Sequence, residues 1–359
     1  MTRKVHIVGT GTIGEPLIGL FTRHAQDWDI SRVSFHKRTP SQNDRPKVLN
    51  LMKAGAVLAV DDVVQREFER LGMQAGLSSE EALSEADVVI DCTPAGNDHK
   101  ERIYQHLDGP KGFIAQGSEF GFGKPYARGI NDQMLVPGED RYLQVVSCNT
   151  HALAALVKVI GYNGTTSDPD VENMIKGKFL FIRRATDISQ DDDFCASPTI
   201  DRHKDLQYGT HHARDGAHLF RTLGIEPVIF SSSMKVPSQY MHITHFTITV
   251  RDPVTVELLV EKMKQDEYLA VTQKKTTGSV FSFGRDHGYY GRIFNQAIIP
   301  VSALHISGGQ DGHDVTGFSF TPQDGNSLLS STSAALWILD PERYEKQLEN
   351  LKDYVFKEI

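Results

Sequence analysis

The chain is poor in cysteine, with 3 in 359 residues, and Cys92, Cys148 and Cys195 show no zinc-ligand spacing. That excludes a disulfide framework and points to a reducing compartment, leaving room for one reactive thiol. A basic surplus is also missing. Lys+Arg 38 stand against Asp+Glu 46, a net charge of −8, which sets aside an electrostatic nucleic-acid binder. No apolar run approaches the roughly 20 residues that span a bilayer. Gly9 and Gly11 interrupt the N-terminal apolar stretch that a signal peptide would need. There is neither an internal repeat nor a low-complexity segment. The expectation is a soluble, cytoplasmic protein with no nucleic-acid or membrane partner. What is present is ordinary, 39% hydrophobic and 23% charged, which excludes a disordered chain. At roughly 100–200 residues per domain the length suits two domains, or three.

Residues 1–147 alternate strand and helix. Strands are expected at Lys4–Val8, Arg32–His36, Ala56–Val60, Val88–Thr93, Phe113–Ala115 and Leu143–Val146, with helices at Pro16–His24 and Asp62–Leu71. Such alternation implies right-handed crossovers and a mostly parallel sheet. Beyond residue 148 the pattern changes. Asn149–Ile160 is apolar nearly all round and reads as a buried helix stopped at Gly161. Strands at Phe179–Arg183, Val228–Val236, His242–Arg251, Ser279–Phe283 and Val315–Phe320, with an amphipathic helix at Val254–Lys264, suggest an open, largely antiparallel sheet. Residues 185–210 form a polar excursion carrying the run Asp191–Asp193. Ser327–Ile338 and Pro341–Phe356 read as two closing helices.

Three groups of residues carry chemistry. Gly9-Thr10-Gly11-Thr12-Ile13-Gly14 is a G-x-G-x-x-G between a strand and a helix. Its glycines allow a tight turn, close approach to a pyrophosphate and close helix packing, which points to a dinucleotide. The second strand ends His36-Lys37-Arg38-Thr39, with no carboxylate for a ribose 2′-hydroxyl. Lys37 and Arg38 would instead attract a 2′-phosphate, so NADP is expected ahead of NAD. Ser147-Cys148-Asn149-Thr150 joins a strand to the buried helix, where the dipole and unpaired N–H groups favour a thiolate and could hold an oxyanion. A buried cysteine is more often inert; the dinucleotide motif upstream favours Cys148 as a nucleophile. Of the 15 histidines, His203, His211, His212, His218, His242 and His245 fall in one region. His242 and His245 would face opposite sides of a strand and no cysteine completes a zinc-like set, so no metal is expected.

These pieces together resemble the archaeal-type (type II) glyceraldehyde-3-phosphate dehydrogenases. The resemblance rests on Gly9–Gly14, Val145-Val146-Ser147-Cys148-Asn149-Thr150, Phe181-Ile182-Arg183-Arg184-Ala185, Thr210-His211-His212, and Val236-Pro237 leading to Met241-His242, in family order over nearly the whole chain. It implies an α/β fold. A Rossmann dinucleotide-binding domain would cover 1–147 and a mixed, largely antiparallel α+β catalytic domain 148–325. C-terminal helices over 326–359 would return to the first domain, and the assembly would be a homotetramer. It also implies Cys148 as nucleophile and His242 as acid–base, with His212 and His245 as alternatives. Thr12, Ile13, Ser118 and Arg184 would contact the cofactor. Ser147, Asn149, Thr150, Arg183, His212 and Ala213 would surround the substrate or its phosphate.

Departures bear on the substrate. The family's Cys-Asn-Thr-Thr-Gly becomes Cys148-Asn149-Thr150-His151-Ala152, Gln-Gly-Gly becomes Gln116-Gly117-Ser118, and His-His-Gly-Pro-Asp becomes His211-His212-Ala213-Arg214-Asp215. The expected activity is a phosphorylating aldehyde dehydrogenase of glycolytic type. It would oxidise a small anionic aldehyde, glyceraldehyde 3-phosphate first, to a cysteine thioester, whose acyl group inorganic phosphate would take to leave as an acyl phosphate. Alternatives are another phosphorylated, phosphonylated or carboxylated aldehyde such as aspartate semialdehyde, or a non-catalytic nucleotide-binding regulator.

Overall fold

The computed structural model describes residues 3–117, 119–166, 172–186, 195–309, 312–322 and 324–359. Ser118, the run Asp191–Asp193 and Gln323 lie outside the described residues. The chain divides into two compact units. The first comprises Met1–Lys124, Val136–Val145 and Ser330–Asn350; the second comprises Pro125–Leu135, Val146–Leu329 and Leu351–Ile359.

The first unit is built on strands β1 (Arg3–Val8), β2 (Ile30–His36), β3 (Val57–Val60), β4 (Leu77–Ser78), β5 (Val88–Asp91), β6 (Gly112–Gln116), β7 (Lys124–Tyr126) and β8 (Tyr142–Val145). They lie in the order β4-β3-β2-β1-β5-β6-β8-β7, and every pair from β4 to β8 is parallel. A parallel sheet needs both faces covered. Accordingly β5 and β6 are buried throughout, and helices α1 (Gly14–Arg23), α2 (Arg45–Lys53), α3 (Gln65–Arg70), α4 (Ser79–Ser84) and α5 (Gly96–Arg102) connect the strands. This is the expected doubly wound, Rossmann-like sheet.

The second unit carries helix α6 (Cys148–Leu156), which continues as a π turn over Val157–Gly161, and then β9 (Met174–Arg183), β10 (Thr199–Ile200), α7 (His211–Arg221), β11 (Ile229–Lys235) and β12 (His242–Val250). It continues through α8 (Val256–Gln265), β13 (Leu269–Thr272), α9 (Thr277–His287), β14 (Ala297–Pro300), β15 (His305–Gly309) and β16 (Gly312–Thr321). The sheet order is β10-β11-β9-β12-β16-β14-β13, with β15 also on β16. Only β11–β9 and β13–β14 run parallel, so the sheet is mixed and largely antiparallel. Among the described residues, no helix is long and apolar enough to cross a membrane.

One expected strand is a helix. Ser279–Phe283 carries the strand-favouring residues Val280, Phe281 and Phe283, yet it lies inside α9. The Thr276 hydroxyl accepts from the Ser279 N–H at 3.2 Å, and the buried positions Val280 and Gly284 are one helical turn apart. A local cap and a four-residue spacing outweigh a short run of strand-favouring residues. The closing segment Pro341–Phe356 is also broken, into α11 (Tyr344–Leu348) and a 3₁₀ stretch at Glu349–Tyr354. Helix α10 (Gly325–Leu339) matches the other closing helix.

The glycine turn of the first unit has a steric requirement that can be tested. Gly9 has φ +95°, and a Cβ at Gly14 would fall on the Gly9 carbonyl oxygen. Backbone cannot yield as a side-chain tip does. Gly14→Ala is expected to destabilise the protein by about 1–3 kcal/mol in urea unfolding. A midpoint unchanged from wild type would contradict this packing.

Candidate active site

The first unit presents a cleft of about 460 Å³ at the carboxyl ends of β1, β2 and β5, where an open α/β sheet takes its ligands. Gly9, Gly11, Lys37, Arg38 and Thr39 all line it. A Cβ at Gly11 would meet nothing within 4 Å, so this turn offers open backbone where a pyrophosphate would lie. Thr12 and Ile13 follow in the turn that leads into α1, with Ile13 at its N-cap position. These residues fit a dinucleotide.

The basic turn is less free than the sequence suggests. The Lys37 ammonium sits 2.7 Å from Asp44, which also holds Lys47 at 3.1 Å. Partial burial alone would favour the neutral acid, but the bonds from Lys37 and Lys47 outweigh it and keep the Asp44 carboxyl below its usual range. Arg38 is exposed and forms no ion pair with the described residues. Asp44 escaped the sequence analysis because it lies in a polar loop, eight residues past the strand end, with no motif to mark it.

In the second unit, Cys148 is the first residue of α6. Ser147 caps the helix, accepting from the Thr150 N–H at 3.3 Å while the Ser147 and Thr150 hydroxyls lie 2.9 Å apart. The Asn326 amide donates to the Cys148 carbonyl at 3.0 Å, and the Thr321 hydroxyl donates to Asn149 Oδ1 at 3.5 Å. Thr321 pairs with His242 across β16 and β12, so both face the same side of the sheet. The first turn of α6 therefore lies over the sheet end that carries His242.

Further groups join this face. Thr244 pairs with Phe181 on β9 and with Ser319 on β16. The His212 ring, near the start of α7, packs 4.4 Å from Phe181. Both His212 nitrogens and the hydroxyls of Thr244 and Ser319 are buried with no hydrogen-bond partner among the described residues. Orphaned polar atoms inside a protein are costly, so a cluster of them marks a place where polar groups of a ligand or water belong. Thr244 and Ser319 carry no sequence signal: only strand register makes them neighbours.

The two arginines diverge as alternation demands. Arg183 donates to Asp201 at 2.6 Å. Arg184 is buried, donating to the Tyr240 carbonyl at 2.8 Å and lying 3.4 Å from Asp324, which has φ +55°. Its guanidinium is thus engaged inside the second unit. The Ala213 N–H is already donated to Ser231 Oγ at 3.1 Å. His245 lies on the opposite sheet face, edge-on to Phe318 at 4.9 Å.

Protonation states follow from burial. His242 Nδ1 accepts the Arg184 backbone N–H at 3.0 Å, which leaves the ring proton on Nε2. Burial, then the charges of Arg184 and Arg183, lower its pKa to about 3, so the ring is a neutral donor at physiological pH. Burial pushes His212 well below its ordinary value, helped by His211, Arg183 and His242. His151, one turn after Cys148, is lowered to about 4 by burial. The other thiols are ill suited to attack: burial and the charge of Asp91 raise the Cys92 pKa well above normal, and Cys195 is buried against the Ser197 carbonyl at 3.2 Å. No group of three or more metal-ligating side chains occurs among the described residues.

No family model matches the chain. It is similar to proteins named glyceraldehyde-3-phosphate dehydrogenase. That of Sulfolobus acidocaldarius is 24% identical over 322 residues, covering 86% of this chain and 84% of the relative. That of Metallosphaera sedula is 24% identical over 316 residues, 86% and 85% of the two chains. That of Methanobacterium bryantii is 29% identical over 271 residues, 73% and 72%. The relatives are distant, and the match runs through both units.

The buried neutral histidines predict acid sensitivity. For His151, with a folded pKa near 4 against the ordinary 6.5 of the unfolded chain, the pH-linked stability is complete above pH 6.5 and is lost as pH falls toward 4. His151→Gln is expected to flatten the dependence of the unfolding constant by about tenfold per pH unit across that window. An acid slope identical to wild type in denaturant titrations would show that His151 is not held neutral.

Proposed function

We propose that the protein is an NADP-preferring, phosphorylating aldehyde dehydrogenase with Cys148 as its nucleophile, acting on a small anionic aldehyde, glyceraldehyde 3-phosphate first. The observation that carries this reading is the seat of Cys148 on the capped first turn of α6, over the sheet end that holds His242, on a face whose buried polar groups include several with no partner among the described residues. The dinucleotide cleft of the first unit and the names of the distant relatives support it.

In the proposed reaction the Cys148 thiolate, its proton lost to solvent, attacks the aldehyde carbon. The carbonyl π pair moves to oxygen, giving a thiohemiacetal oxyanion. N–H groups of the first helical turn and the Nε2–H of His242 hold that oxyanion. This differs from an acid–base role for His242, because a ring whose Nδ1 already accepts a backbone N–H offers a proton rather than taking one. When bound, the nicotinamide supplies a hydride acceptor, and the carbon left behind becomes a thioester on Cys148. Inorganic phosphate, oriented by Thr150, Arg183 and His212, then attacks the acyl carbon. It expels the thiolate and leaves as an acyl phosphate. A homotetrameric assembly belongs to the same reading.

The test is direct. NADPH formation from a panel of anionic aldehydes, with and without phosphate, should vanish in Cys148→Ser, because an alkoxide is far harder to form there than a thiolate. His242→Asn should lower kcat/KM by about 10²–10³, the worth of one oxyanion donor, without moving the pH profile near neutrality. More than a tenth of wild-type activity in Cys148→Ser would overturn the nucleophile; a lost acid limb in His242→Asn would return the proton to His242.

Cofactor preference provides a separate expectation. A charge-assisted bond from Arg38 to a 2′-phosphate is worth about 1.5–3 kcal/mol, or roughly tenfold or more in affinity. NADP should bind more tightly than NAD, by a margin that shrinks in salt and in Arg38→Ala. Because Asp44 holds Lys37, Lys37→Ala should cost less than Arg38→Ala. Equal affinities for both dinucleotides at low salt would remove the preference.

A further inference from the structure

The dinucleotide cleft is lined by a histidine that no glycine motif or basic turn announces. His99, on α5, has its Nδ1 2.6 Å from Asp91 Oδ2 at the carboxyl end of β5. Asp91 is fully buried, yet its carboxylate is completely satisfied: Oδ1 accepts from the Thr93 N–H at 2.9 Å and the Thr93 hydroxyl at 2.6 Å, and Oδ2 accepts from the Tyr104 hydroxyl at 2.7 Å as well as from His99. A buried carboxylate with this many donors stays ionised, and it needs a compensating cation. His99 is the partner that can supply one. Its side chain keeps 31% exposure against 1% for Asp91, so the pair spans from the interior to the cleft.

We propose that His99, anchored by the buried Asp91, is a cationic phosphate contact in this cleft and makes dinucleotide affinity depend on its protonation. The inference rests on the cleft being a dinucleotide site. The ligand chemistry is a phosphate ester, either the pyrophosphate shared by NAD and NADP or the 2′-phosphate found only in NADP.

The groups facing His99 favour its charge. The Asp91 hydrogen bond raises its pKa above the ordinary 6.5, against the effect of burial, and the charges of Asp91, Asp98 and Glu119 act in the same direction. Across the cleft, His36 on β2 is lowered by burial despite its contact with Asp61, so it does not compete as a cation. The Cys92 thiol beside Asp91 stays protonated, and Tyr104 is pushed well above its usual value by burial and by Asp91. Lys37 and Lys47 are shared with Asp44. Among the described residues of this cleft, His99 therefore supplies the titratable cation. Because the bound phosphate favours the imidazolium, affinity is full below the His99 pKa and falls as pH rises through it.

Calorimetric or fluorescence titration of the full chain with NAD and with NADP, from about pH 6 to about pH 9, tests this. The variants are His99→Gln, which keeps a hydrogen bond to Asp91 without the charge, and His99→Lys, which keeps a charge that does not titrate in this range. Wild-type affinity should fall about tenfold across the titration. His99→Gln should be weak and flat with pH, and His99→Lys should bind well at alkaline pH. Loss with both dinucleotides places the contact on the pyrophosphate; loss with NADP alone places it on the 2′-phosphate. If both dinucleotides bind but His99→Gln matches wild type at every pH, the inference is overturned while the cleft assignment stands. Wild-type protein that binds neither dinucleotide would overturn the cleft assignment and this inference with it.

Discussion

The proposed chemistry depends on how the first turn of α6 is held. Cys148 has no fixed position unless that turn does, and several bonds fix it: the Ser147 cap onto Thr150, the Asn326 amide onto the Cys148 carbonyl, and Thr321 onto Asn149. The last of these ties the helix to the strand pair β12–β16, in which Thr321 stands opposite His242. Strand register therefore sets the relation between the proposed nucleophile and the proposed oxyanion donor. A one-residue slip would carry His242 to the other face, where His245 already lies.

Electrostatics differ between the candidate sites of the two units. In the second, burial drives His151, His212 and His242 to their neutral forms. The nearby arginine charges are met by Asp201 and Asp324. A neutral donor with no competing carboxylate on its ring suits an oxyanion, since it stabilises developing charge without first giving up a proton. In the first unit, a buried carboxylate favours the imidazolium on His99, and Asp44 organises the lysines of the basic turn. There the ligand would arrive already charged, and a cationic lining suits it.

Much of this could be read from the chain, for physical reasons that differ by element. The parallel sheet was legible because its buried strands are short apolar runs separated by helices, and Gly9–Gly14 has a steric signature that few other residues satisfy. The Ser147-Cys148 junction was legible because a cap and a helix apolar nearly all round adjoin there. Helix α9 reads as a strand because Val280, Phe281 and Phe283 favour strands over too short a run to separate a strand from a helix, and the deciding signal is the Thr276 cap. Asp44, Asp201, Thr244, Ser319 and His99 were not legible at all. Each gains its meaning from a partner brought by tertiary folding, such as Lys37, Arg183 or Asp91. The resemblance implies Arg184 and Ala213 as contacts for cofactor and substrate, and only the fold shows that the Arg184 guanidinium also donates to the Tyr240 carbonyl and the Ala213 N–H to Ser231 Oγ.

The central claim is that Cys148 carries the acyl group between oxidation and phosphorolysis. The most direct measurement is intact-protein and peptide mass spectrometry after a single turnover of an anionic aldehyde with NADP in phosphate-free buffer. The account predicts one acyl adduct per chain, located on the peptide containing Cys148, and its release as an acyl phosphate when phosphate is added. NADPH formation with no adduct on Cys148, or an adduct on Cys92 or Cys195 instead, would contradict it.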